Sequence, residues 1–247
     1  MQLALLSLLL VVIALLVMRA VTRERREYGR FKRLRTTAAR QKVFARWLRE
    51  SFLMFGGLTA AVLLAAHPYV PSVLDDARSW APARFALDFL ETDAGRGIVL
   101  GLALALVLGL VLPIFLLRNH TEEIPTIGDV AALLPRTRGE VKYGLALGTN
   151  AGLVEELLFR LALPALVFGI IGDGALAFLI TSVLFGLLHL YQGPVGVISS
   201  TVLGLVFSVV YVLSGSIVLA IVLHVLFDLR SLVLIPVVVM KVWRKVA

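Results

Sequence analysis

The chain has 247 residues, 60% of them hydrophobic, with a mean hydropathy of +0.95 and no cysteine. Its apolar residues come in long runs, which argues against an ordinary soluble domain and for a membrane protein, and the missing thiols exclude disulfides and thiolate chemistry. The formal charge of +8 is concentrated beside one apolar run with no recognition motif, so anionic membrane lipids are the expected partner and nucleic acid is not.

A bilayer core about 30 Å thick takes roughly 20 helical residues to cross. The apolar runs therefore predict an all-α, polytopic transmembrane bundle of about seven spans, with eight as the alternative, near residues 2–18, 51–67, 97–117, 142–169, 174–190, 194–213 and 216–240. The first run is followed, not preceded, by positive charge, and no small-x-small cleavage site precedes Arg19, so it reads as a retained anchor with its N-terminus outside.

Residues 19–49 carry twelve basic residues against Glu24 and Glu27, a net of +10, and are expected to form a cytoplasmic loop. After the second span, Arg78, Arg84 and Arg96 stand against Asp75, Asp76, Asp88, Glu91 and Asp93, a net of −2, which marks the translocated side. The stretch from Pro71 to Gly97 is expected to include an amphipathic surface helix.

A connector from Arg118 to Glu140 contains Pro125, Gly128 and Pro135, which break helices. It divides an anchoring half, residues 1–120, from a half that bears the chemistry, residues 121–247. Seven spans from an outside N-terminus end inside, in agreement with Lys241, Arg244 and Lys245 in the tail.

Of 24 basic and 16 acidic residues, nearly all fall in loops, span ends or tails; the exceptions are Glu155, Glu156, Arg160, Asp228 and Arg230. Charge at membrane depth costs a few kcal/mol per residue on insertion scales, so such groups face protein or a watered cavity and need partners. Glu156 and Arg160, four apart, share a helix face with the acid on the N-terminal side. Glu155 points about 100 degrees away and needs a different partner. Phe185 and His189 share one face of a later span, and His224 and Asp228 share one face of the last, so two histidines are available to Glu155. Each histidine alone reads as a packing contact. A bundle built only for packing, however, needs neither a second adjacent carboxylate nor two histidines on separate helices. Ser200 and Gly204, also four apart, suit close helix approach.

These three elements resemble the signature of the CPBP intramembrane protease family, which includes CAAX prenyl endopeptidases and bacterial immunity-type relatives. They read Glu155-Glu156-Leu157-Leu158-Phe159-Arg160, then Phe185-Gly186-Leu187-Leu188-His189, then His224-Val225-Leu226-Phe227-Asp228, in family order, and the resemblance covers roughly residues 130–240. Prenyl endopeptidases usually carry Asn where Asp228 stands.

The resemblance implies an intramembrane endopeptidase of a bacterial-type cell membrane that cleaves a membrane-associated or lipidated peptide. Glu155 would be the general base, His189 would help to hold the water, and His224 with Asp228 would lie near the oxyanion. An aspartate donates to an oxyanion only when protonated, so Asp228 is assigned instead to orienting His224. Glu156, Arg160 and Phe185 would support the helix that presents Glu155. No cofactor is expected; the alternative is zinc held by Glu155, His189 and His224, disfavoured because no His-Glu-x-x-His helix is present. A catalytically silent immunity or scaffold protein, and a transporter or proton relay, are the competing functions.

Overall fold

The computed structural model describes residues 2–118 and 128–243, and among them every regular element is helical. Pro125, Arg244 and Lys245 lie outside the described residues. Helix α1 (Gln2–Met18) runs through a π turn (Arg19–Glu24) into α2 (Arg25–Phe31). Helix α3 (Thr37–Ala66) is followed by two short helices, α4 (Tyr69–Ser79) and α5 (Ala81–Leu90), and by the long α6 (Asp93–Leu117). A 3-10 turn (Ala131–Leu133) leads to α7 (Arg138–Glu156), which continues through a π turn (Leu157–Ala162) into α8 (Leu163–Ile171). Helices α9 (Gly174–Leu187) and α10 (Gly193–Ser214) form a hairpin, and α11 (Ile217–Leu229) ends in a π-helical stretch (Arg230–Val239).

The seven expected spans coincide with helices, but among the described residues only five helices are long and apolar enough to cross a membrane by length and composition. The two that fall outside are α9, with 14 residues, and the continuous helix from α7 to α8, whose apolar stretch is interrupted by Glu155, Glu156 and Arg160. The surface helix expected between Pro71 and Gly97 is present as α4 and α5.

The basic stretch at 19–49, expected as a loop, is mostly helical. Helix α3 begins fourteen residues before the expected second span, capped by Thr36, whose Oγ1 accepts from the Ala39 amide (3.3 Å). Charge does not end a helix that has left the apolar phase, and the fully buried Arg40 and Phe44, one turn apart, give this extension a face to pack.

Helix α7 lies between α3 and α11 and organises the bundle. Its face toward α11 is a stripe of Gly144, Gly148 and Gly152. A Cβ at Gly152 would stand 2.5 Å from Val225 Cγ2, and one at Gly148 would stand 3.1 Å from Asp228 Cβ. Small residues let the backbones close to a distance that any larger side chain forbids. One apolar core joins both halves of the chain, from Leu5 and Val62 to Phe185 and Ala220.

Polar ties separate the two ends of the bundle. At one end Asp76 accepts from the Gly174 amide (2.6 Å) and Arg78 donates to the Val212 carbonyl (2.7 Å). At the other, the Asp129 amide donates to the Gln192 carbonyl (2.9 Å), and Arg40 donates to the carbonyls of Ala132 and Leu134 (3.0 and 3.1 Å). A smaller aromatic cluster of Tyr28, Phe31 and Phe44 fills that second end.

Candidate active site

Glu155 and Glu156 form the last turn of α7, where the helix widens into its π turn. Leu163 N returns to Leu158 O, five residues back, and Pro164, which has no N–H to offer Arg160, follows directly. Being adjacent, the two glutamates face different surroundings.

Glu156 is fully buried, and its Oε1 accepts from His224 Nδ1 at 2.6 Å while Arg160 Nη1 stands 3.0 Å away. The guanidinium of Arg160, also fully buried, lies 4.4 Å from the Phe185 ring centroid and 5.5 Å from that of Phe207, and its Nη2 donates to the Gly204 carbonyl (3.3 Å). A carboxylate paired to arginine is an acceptor only, so the Nδ1 of His224 carries the proton, and its Nε2 edge is turned to the other side of the ring. Phe207 stacks on that ring at 4.9 Å and 17°.

Glu155 is only partly buried and lines a cavity of about 480 Å³ together with His189, His224 and Asp228. Its carboxylate makes no hydrogen bond or ion pair among the described residues. His189 caps the end of α9, and its Nδ1 donates to the Phe185 carbonyl (2.8 Å). A carbonyl only accepts, so this imidazole too is protonated at Nδ1 and keeps a lone pair on Nε2. Phe185 thus serves three neighbours: its carbonyl fixes His189, one ring contact covers Arg160, and its edge meets the His224 ring at 6.1 Å and 88°.

The structure brings all seven residues singled out in the sequence into one region, but it pairs them differently. Asp228 Oδ2 lies 3.9 Å from His224 Nε2, beyond a hydrogen bond. The close partner of His224 is Glu156, which the sequence reading had paired with Arg160 alone. Sequence reasoning also missed the aromatic wall of the cavity, Tyr28, Phe44, Trp47 and Phe55, which comes from α2 and α3. Nothing in their spacing relates them to the glutamates. Gly144, Gly148 and Gly152 were missed as well, although their four-residue repeat was a usable signal. The close approach expected at Gly204 is present: a Cβ there would meet Phe185, the Ser182 carbonyl and Arg160 at 3.2 to 3.4 Å.

Among the described residues no three His, Asp or Glu side chains stand close enough together to hold a metal ion. The set Glu155, His189 and His224 has suitable donor types but is not gathered at ligand distance.

Residues 137–230 match the family model described as Type II CAAX prenyl endopeptidase Rce1-like. This segment belongs to the CPBP/CAAX protease family. No curated protein and no solved structure matches the chain. The CPBP segment runs from the N-terminus of α7 through α11, so it contains Glu155, Glu156, Arg160, Phe185, His189, His224 and Asp228 and leaves out α1 to α6. The family matched by this segment is one of proteases, and the several membrane-length apolar helices make the chain an integral membrane protein.

Proposed function

We propose that the chain is an intramembrane endopeptidase in which Glu155 activates water against a peptide bond of a membrane-associated or lipidated substrate. The observation that carries this reading is the contrast between the neighbouring glutamates. Glu156 is consumed by Arg160 and His224, whereas Glu155 turns an unbonded carboxylate into a cavity beside two imidazoles.

In this mechanism Glu155 takes a proton from a water that also donates to His189 Nε2, and the oxygen adds to the carbonyl carbon. The resulting oxyanion lies toward His224, whose ring is held by Glu156 and donates from Nε2 when it carries both protons. The proton on Glu155 passes to the amide nitrogen as the carbon–nitrogen bond breaks, which leaves a carboxylic acid and an amine. Asp228 borders this region as a second carboxylate, where prenyl endopeptidases have a neutral amide, so the substrate class is left broader than prenylated proteins. The reaction is metal-free in this reading, the site opens to the end carrying the basic residues, and the N-terminus lies outside with the C-terminus inside.

Peptide profiling of membranes from cells expressing the wild type, Glu155→Ala or His189→Ala tests the proposal. Products present only with the wild type are expected; a profile unchanged by either variant, with both folded, would refute peptidase activity. Metal analysis of the purified protein, with activity measured after chelation, tests the metal-free form: stoichiometric zinc lost together with activity would overturn it.

A further inference from the structure

A peptide bond brought into this cavity carries its own donor and acceptor out of water, and each must find a partner. The charged groups on the walls suit that poorly, since a carboxylate only accepts and a guanidinium only donates. A carboxamide offers both. Two line the cavity, Gln192 and Asn150. Gln192 is tied to its own turn: its side-chain Nε2 donates to the Tyr191 hydroxyl (2.9 Å), and its backbone carbonyl accepts from the Asp129 amide (2.9 Å).

Asn150 is different. It lines the cavity from α7, as do Leu147, Ala151 and Glu155, and its side chain leaves the helix about 140 degrees around from that of Glu155. One amide hydrogen donates to Ser51 Oγ (3.1 Å) on α3; the other hydrogen and Oδ1 have no partner among the described residues. The Ser51 contact fixes the amide plane and leaves one donor and one acceptor for a ligand. Five residues separate Asn150 from Glu155, about 7.5 Å along a helix rising 1.5 Å per residue and about 140 degrees around it, a separation that an extended peptide covers in roughly two to four residues.

We propose that Asn150 hydrogen-bonds the backbone of the bound peptide roughly two to four residues from the bond that is cut, on the side toward the N-terminus of α7. This inference rests on the peptidase reading. Asn150 accordingly fixes where along the peptide cleavage falls, with little regard for the side chains of the substrate.

The test is quantitative profiling of Glu155-dependent peptides in membranes of cells expressing matched amounts of full-length wild type, Asn150→Ala, Asn150→Leu, Asn150→Gln and Ser51→Ala, with melting of each purified protein as the folding control. Loss of one or two hydrogen bonds predicts about a tenfold fall in products for Asn150→Ala and Asn150→Leu, together with scatter in the position of the cut. Partial recovery is expected in Asn150→Gln and yields within about twofold of wild type in Ser51→Ala. Products undiminished in both apolar variants would overturn the inference, as would a loss in Ser51→Ala equal to that in Asn150→Ala, which would make the pair a helix tie. Absence of any Glu155-dependent product from the wild type would overturn the peptidase reading and this inference with it.

Discussion

Helix α7 carries a buried ion pair at each end, and the two are built differently. At its first turn Arg40 Nε lies 3.0 and 3.1 Å from the two carboxylate oxygens of Glu140, Oε2 also accepts from the Arg136 amide (3.0 Å), and Arg40 Nη2 takes two further carbonyls. At its last turn Glu156 Oε2, Arg160 Nε and Arg160 Nη1 are buried without a hydrogen bond, and the one well-bonded oxygen of Glu156 goes to His224. The first pair leaves one atom, Arg40 Nη1, without a hydrogen bond against three in the second, and every unmatched group at low dielectric is destabilising. The second pair leaves groups unmatched while it holds an imidazole, which fits the chemical role proposed for it.

That contrast is sharpened first at the neighbour of Glu156. Glu155→Gln should lower product formation by on the order of a thousandfold, within the range for loss of a general base, while the melting temperature stays level or rises because an unpaired carboxylate has been removed; profiling and calorimetry together check both. The next largest effect lies at the opposite end of α7. Arg40→Ala leaves the Glu140 carboxylate buried and alone and should cost about 3 kcal/mol of stability, with cleavage per folded molecule retained, as read by detergent-resistant melting against activity. Equal damage to cleavage per folded molecule from Arg40→Ala and from Glu156→Gln would erase the distinction between the two pairs.

Gly152→Ala tests the link between them. The added methyl meets Val225 at 2.5 Å and should cost about 2 kcal/mol through overpacking. It should also move α11 and so weaken the bond from His224 to Glu156, seen as a fall in cleavage larger than the loss of stability explains. The smallest effect is expected at Lys32, which pairs with Asp129 on the half-exposed surface. Lys32→Ala should change stability by less than about 1 kcal/mol and leave cleavage unchanged; a larger loss would show that the segment at residues 128–134 contributes more than a surface contact.

The residues of the site were readable because charge inside hydrocarbon is conspicuous. Glu155, Glu156, Arg160 and Asp228 stand out against their apolar surroundings, and His189 and His224 repeat the four-residue spacing of a helix face. Their pairing was not readable. The i, i+4 rule linked His224 to Asp228 within one helix, whereas the glycine stripe draws α11 close enough to α7 for Glu156, 68 residues away in sequence, to take the histidine instead. Asn150 was overlooked for a related reason: an amide carries no charge to stand out, and only the folded chain shows that it borders the same cavity as Glu155.

By itself, then, the sequence determined that the chain is helical and membrane-borne, roughly where its long apolar helices lie, and which polar side chains stand among them. Those properties follow from hydrophobic run length and from the cost of isolated charge, both local quantities that need no knowledge of neighbours. Only the tertiary structure decided that α2 and α3 supply a wall of the cavity, that the basic stretch continues as helix, and that one glutamate is spent on orientation while the other is left open. Such outcomes depend on distances between segments far apart in the chain, set by how closely particular helix faces pack.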